Sequence, residues 1–175
     1  MDSALREKSE ICALLNEYMY LGFKDAGEDD TIRDIIQTIE TNDAYKNFRS
    51  KDEFAILKAN LDRIGDYTIG NQSWNLEDFN SGTYACTFKD PDTGKIYVTY
   101  RGTGDGEWLD NGQGMTQVST QQQEEAARYF DYVIEHNGWN GSDNITVTGH
   151  SKGGNKSQYV TINSTYKDYI DQCIS

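Results

Sequence analysis

The chain has 175 residues, enough for one domain with a substantial core, and its 36% hydrophobic and 12% aromatic content is typical of a globular protein rather than a disordered one. Its formal net charge of -13 argues against binding to nucleic acid or to an anionic membrane, because the phosphates would be repelled. No stretch approaches 18 consecutive apolar residues, so an integral membrane segment is not expected.

Apolar residues recur at helical spacing through the first third of the chain. The three stripes are Ile11, Leu14, Leu15, Tyr18 and Met19; Ile32, Ile35, Ile36 and Ile39; and Phe54, Leu57, Leu61 and Ile64. They predict three helices, with residues 29–31 as candidate caps before the second and Gly65 as the end of the third. Residues 1–70 are therefore predicted to form a helical extension that packs on a core formed by residues 71–175.

The spacing of apolar residues changes to that of strands after residue 82. Tyr84, Cys86 and Phe88 alternate with smaller or polar residues, a turn sequence KDPDTG follows at 89–94, and residues 95–100 continue as a second strand. This pattern predicts a β-hairpin. The glycine-rich residues 101–106 cannot continue the second strand.

A long helix, a strand and a second helix are predicted next. Thr120 and Gln123 suit the helix start, and Asn137-Gly138 suits its end. The buried face is expected to comprise Ala126, Tyr129, Phe130, Val133 and Ile134. Residues 144–148 form a short β-branched strand that leads into GHSKGG, and residues 156–162 indicate another helix. The order of elements predicts an α/β fold with a helical N-terminal segment.

The sequence Gly149-His150-Ser151-Lys152-Gly153 has the form G-x-S-x-G between a predicted strand and a predicted helix. In that setting the glycines permit a tight turn that exposes the serine hydroxyl. The start of the helix favours negative charge, so the Lys152 N–H is a candidate oxyanion donor. Ser151 is thus a candidate nucleophile, although a glycine-rich turn without chemistry would have the same local pattern.

Tyr100-Arg101-Gly102-Thr103, followed by Trp108 and Asp110, and the GHSKGGN motif together resemble the class 3, fungal-lipase-like branch of the α/β hydrolases, in particular an uncharacterised bacterial lipase-like subfamily. The resemblance covers about residues 79–175. It implies an α/β-hydrolase-like, incomplete sheet with a strand–elbow–helix unit. It also implies that Thr103 supplies the second oxyanion donor. Arg101 is expected to form a structural ion pair beneath this loop.

The acid and base of a serine-hydrolase triad are not found at suitable positions. In the chain order of this fold both would follow Ser151, but the two histidines, His136 and His150, precede it. His136 is expected at the opposite edge of the sheet, roughly 17–20 Å away across a five- or six-residue strand. His150 is expected to be packed and to point away from Ser151. Asp168 and Asp171 precede a predicted strand at residues 173–175, and so are also expected at the opposite edge.

Two functions are predicted from these observations. The first is a lipase- or esterase-like serine hydrolase of acyl esters or lipid-like substrates, present as an N-terminal portion that is inactive alone because the triad is incomplete. The second is a catalytically inactive lipase-like binding module. An uncovered sheet edge further predicts self-association or a partner that covers it. A monomer whose N-terminal helices cover the gap is the alternative.

The three cysteines, Cys12, Cys86 and Cys173, are far apart and have no metal-ligand spacing. Reduced thiols are therefore expected, with no metal and no cofactor. The N-terminal residues lack the apolar segment of a signal peptide, which predicts a cytoplasmic protein and leaves export by a signal-independent route open.

Overall fold

A computed structural model describes residues 2–79, 83–101 and 120–175. It has a mixed α/β architecture, as predicted. The helices in these ranges are α1 (Ser3–Leu21), α2 (Ile32–Thr41), α3 (Asp52–Ala59), α4 (Leu61–Ile64), α5 (Thr120–Asn137) and α6 (Lys152–Asn163). Short 3-10 helices span Asp43–Ser50, Ser73–Asn75, Glu77–Phe79 and Lys167–Tyr169.

Five strands form one mixed sheet in the order β1-β2-β3-β4-β5. They are β1 (Thr68–Gly70), β2 (Ala85–Lys89), β3 (Ile96–Tyr100), β4 (Ile145–Gly149) and β5 (Ile170–Ile174). The first three pair antiparallel, and β3, β4 and β5 pair parallel. The predicted hairpin is confirmed as β2 and β3. The strand β1 belongs to this sheet although it lies within residues 1–70, and the division into extension and core remains a prediction.

The N-terminal helices form where the apolar stripes predicted them. All five residues of the first stripe are buried in α1. The second helix begins with a capping box, in which the Thr31 hydroxyl accepts from the Asp34 N–H and the Asp34 carboxylate accepts from the Thr31 N–H. The third stripe is divided between α3 and α4, because the chain leaves the helical conformation at Asn60.

Apolar residues pack on both faces of the sheet. One cluster joins helices α1–α4 to residues such as Ile69, Phe88 and Tyr97. The other joins α5 and α6 to the opposite face of the strands, and it contains all five residues predicted for the buried face of α5. Alternation along β4 assigns its side chains to the two layers, so Val147 packs with the α5 and α6 cluster. Thr148 accepts a hydrogen bond from Asn16 of α1.

The fold bears on the predicted absence of a membrane segment and on the predicted uncovered sheet edge. None of the helices in residues 2–79, 83–101 and 120–175 combines the length and apolarity needed to cross a bilayer. Helix α1 contacts β3 and β4, so N-terminal helices do cover one face of the sheet. Within the described ranges β5 pairs only with β4, and self-association through this edge remains a prediction.

Candidate functional site

The turn between β4 and α6 has an unusual backbone conformation at Ser151. Strand β4 ends at Gly149, His150 follows, and Ser151 lies directly before the first residue of α6. Its backbone angles are φ 58° and ψ -123°. Its side chain is exposed, and its hydroxyl does not cap the helix. Positive φ is uncommon for a residue with a β-carbon, so the surrounding packing must hold Ser151 in this conformation.

Close packing of glycine backbones permits the turn. A β-carbon added to Gly149 would overlap the carbonyl carbon and oxygen of Gly153 and would lie 2.8 Å from the Gly154 nitrogen. The Gly153 N–H donates to the His150 carbonyl at 3.0 Å, and the Asn155 N–H donates to the Ser151 carbonyl at 3.2 Å. The end of β4 and the first turn of α6 are therefore in backbone contact, which only glycine at position 149 allows.

Ser151 borders a cavity on the α6 side of the sheet. The cavity has a volume of about 280 Å³ and is lined by Ser151, Gly154, Asn155, Gln158 and Ser175. Polar side chains dominate this lining. The Gln158 amide donates to the Ser175 hydroxyl at 3.2 Å, and Asn155 accepts from the Gln123 amide of α5 at 2.8 Å.

Sequence reasoning did not predict that Lys152 and Lys156 are buried. Their exposed fractions are 2% and 1%, although both are lysines in the first half of α6. The sheet and α5 both contact this helix, so even its charged residues are covered. Helical spacing of one turn places the two lysines on the same face, but the sequence carries no signal that this face is internal.

Of the predicted oxyanion and loop residues, the structure describes Lys152 and Arg101. Lys152 is the first residue of α6, which begins four residues earlier than predicted, and the role of its N–H as an oxyanion donor stays a prediction. Thr103 and the adjoining residues Trp108 and Asp110 lie outside the described residues, and their predicted roles stay predictions. Arg101 is described, and its guanidinium lies 5.7 Å from the Tyr20 ring centroid and 5.3 Å from that of Tyr84. These ring contacts are the interactions of the Arg101 guanidinium that the described residues show, and its expected ion pair stays a prediction.

The histidines and the late carboxylates occupy separate environments. His136 is near the end of α5 and stacks on Tyr132. His150 is exposed rather than packed, with its ring edge-on to Tyr20 at 6.0 Å between centroids. Asp171 lies inside β5 rather than before it. Because Ile170 pairs with Ile145 at the start of β4, Asp171 is near the end of the sheet remote from Gly149, as expected.

A second cavity lies on the opposite face of β4, between that strand and α1. Asn16 and Glu17 of α1, Thr148 of β4 and His150 are among its lining residues, and its volume is about 370 Å³. Cys12 also lines it. Burial raises the pKa of the Cys12 thiol to about 11, although a hydrogen bond with Thr148 opposes this effect.

The cysteines are unpaired, with Cys12 and Cys86 buried and Cys173 half-buried. No group of three or more His, Cys, Asp or Glu side chains within the described part of the chain is placed to hold a metal ion.

The model of the Mbeg1-like family matches residues 59–175, which is more than half of the chain and includes the sheet and the Ser151 turn. The chain belongs to the Mbeg1-like family. No curated protein and no solved structure shows a significant match to it.

This family assignment corrects two predictions made from the sequence. The predicted class 3 lipase membership is wrong, since the matching family is Mbeg1-like and no lipase family matches. The predicted lipase- or esterase-like hydrolase is not supported for the same reason, while the predicted inactive binding module stays a prediction. The physical cause is that G-x-S-x-G encodes a tight strand-to-helix turn, a local geometry that does not by itself specify a family or a reaction.

Proposed function

We propose that the turn between β4 and α6 is a nucleophile elbow and that Ser151 forms a covalent bond with a strongly electrophilic carbonyl or phosphoryl group. The observation that carries this proposal is that Ser151, at the strand-to-helix junction, is exposed and has a strained backbone conformation. Strain of this kind costs on the order of 1–3 kcal/mol and is concentrated at functional sites. Ester hydrolysis is not part of the proposal.

Three features support a role for Ser151 as the attacking group. Its side chain borders the 280 Å³ cavity, so a small electrophile can reach it. It precedes an α-helix of 12 residues, whose first N–H groups, including that of Lys152, favour negative charge developing on the bound oxygen. The close contact at Gly149 holds the backbone of the turn in place and so supports a fixed backbone position for Ser151.

Ser151 is expected to carry out a single covalent step, because the described histidines are not arranged as a general base for it. His136 belongs to the end of α5, before the strand that leads to the turn. His150 lies against Tyr20 of α1, on the other side of the sheet from the cavity that Ser151 borders. An alcohol without a base is a weak nucleophile, so only a reactive electrophile is expected to be attacked at a useful rate.

Labelling with a fluorophosphonate tests this proposal. The serine oxygen would form a bond to phosphorus, the phosphorus–fluorine bond would break, and fluoride and the hydroxyl proton would leave to solvent. Intact-protein mass spectrometry is expected to show one adduct on the native protein and none on the Ser151→Ala variant. Ser175→Ala is the matched control, because Ser175 borders the same cavity and should not carry the adduct.

Urea-denatured protein provides a second control, since the reaction requires the folded turn. Labelling of Ser151→Ala at the native rate, or equal labelling of native and denatured chains, would contradict the proposal. A native protein that remains unlabelled while known reactive serines are modified would contradict it as well.

A further inference from the structure

The cavity between α1 and the end of β4 adjoins the one that Ser151 borders, since Ser175 lines both, but it lies on the other face of the strand. Its volume of about 370 Å³ is within the range of small-molecule sites, and Ser151 is not among its lining residues. One wall is the side of α1 that carries Asn16 and Glu17, and the other is formed by Thr148 and Gly149 at the end of β4. What binds here therefore does not depend on the reactivity of Ser151.

Asn16 has a buried hydrogen-bond acceptor that no described residue satisfies. The residue is only 9% exposed, and its amide nitrogen donates to the Cys12 carbonyl at 2.8 Å and to the Thr148 hydroxyl at 3.3 Å. Its Oδ1 has no hydrogen-bond partner within the described residues. Buried carbonyl oxygens are almost always paired, so this one indicates that a hydrogen-bond donor enters the cavity.

Negative charge adjoins this acceptor. The half-buried Glu17 lines the same cavity, and the carboxylates of Glu53 and Asp52 act on it electrostatically. Burial, and then the neighbouring carboxylates, raise the pKa of Glu17, so a cation beside this carboxylate would be stabilised. His150 opposes these effects and lowers the pKa of Glu17.

Two other cations, Lys8 and Arg101, contact groups other than Glu17. The Lys8 ammonium contacts the Asp171 carboxylate at 3.4 Å, and the Arg101 guanidinium lies against the rings of Tyr20 and Tyr84. Neither residue lines the cavity. The carboxylate of Glu17 is thus available to a cation that arrives from solvent.

We propose that this cavity binds an organic ammonium ion, a primary amine carried on a small apolar body. An ammonium group has three N–H donors and no acceptor, and so it can donate to both Asn16 Oδ1 and the Glu17 carboxylate. The apolar body would lie against Ala13 and Ile174, which also line the cavity. A neutral alcohol of the same size has one donor and no charge, and it is expected to bind more weakly.

Phenethylamine is the probe, and 2-phenylethanol is its uncharged counterpart. With the isotope-labelled 175-residue chain at constant ionic strength, phenethylamine is expected to shift the amide resonances of Thr148 and Gly149 in a saturable manner. Loss of a charge-assisted hydrogen bond corresponds to about tenfold in affinity, so 2-phenylethanol, and phenethylamine with the Glu17→Gln variant, should each bind at least about tenfold more weakly.

Two further variants make the result decisive. Ala13→Leu should fill part of the cavity and weaken binding without changing any charge, because Ala13 is an exposed helical residue at its mouth. Glu124→Gln removes an exposed carboxylate from α5 on the other face of the sheet and should bind like the unaltered protein. Absence of saturable shifts at millimolar phenethylamine, equal binding of the alcohol, or unchanged binding to Glu17→Gln or Ala13→Leu would overturn the proposal.

Discussion

Replacing Gly149 by alanine is expected to destabilise the protein by about 2–3 kcal/mol, since the new β-carbon would overlap the backbone of α6. The groups it would meet are the carbonyl carbon and oxygen of Gly153 and the nitrogen of Gly154. These are main-chain atoms within a helix and cannot rotate away as a side chain could. The strand and the helix would therefore have to separate.

The magnitude follows from two opposing effects. Overpacking in a closely packed region costs about 1–3 kcal/mol or more, and a backbone overlap belongs at the upper end of that range. Alanine also lowers the conformational entropy of the unfolded chain relative to glycine, which offsets the loss of stability by about 0.4–1 kcal/mol. For a protein of this size the net change corresponds to a decrease in Tm of about 5–10 °C.

Urea unfolding followed by circular dichroism measures this effect, with two glycine-to-alanine controls. Gly138 has φ 67°, and a β-carbon there would have no atom within 4 Å, so Gly138→Ala reports backbone strain alone, about 1 kcal/mol. Gly154→Ala should be intermediate, because its β-carbon would lie 3.2 Å from the Gly149 oxygen. If Gly149→Ala costs no more than Gly138→Ala, the strand and the helix are not in the close contact that holds Ser151.

Two further predictions concern ionisable groups on the α1 side of the sheet. Burial raises the pKa of Cys12 to about 11, so only about 0.1% of this thiol is ionised at pH 8. Iodoacetamide should therefore modify the half-buried Cys173 before Cys12. Mass spectrometry that finds Cys12 modified first would refute this prediction. The pKa of Glu17 is raised by burial and by Glu53, so the folded state holds the proton more tightly than the unfolded state. Its contribution to the free energy of unfolding is therefore present below the unfolded pKa and lost as pH rises through the folded pKa. Glu17→Gln should lack this part of the pH dependence, and identical stability–pH curves for the two proteins would contradict the prediction.

The local elements could be predicted from the sequence because their causes are local. The stripe from Ile11 to Met19 buries one face of a helix whatever that face packs against, and the KDPDTG turn brings β2 and β3 together. The glycine at position 149 likewise indicated a tight turn before Ser151. The family was not predictable in this way, since a five-residue turn motif is compatible with more than one family.

The tertiary structure alone decided which polar groups are buried and which distant residues meet. Asn16 and Thr148 are 132 positions apart, and their contact exists because α1 packs across the end of β4. Lys152 and Lys156 are buried because α6 is enclosed by the sheet and α5, whereas lysine is ordinarily an exposed residue. Sequence patterns report the period of an element, but the solvent exposure of each side chain depends on the layers that cover it. For that reason the sequence indicated the turn that holds Ser151, and only the packing of α1 on the sheet revealed the acceptor-lined cavity beside it.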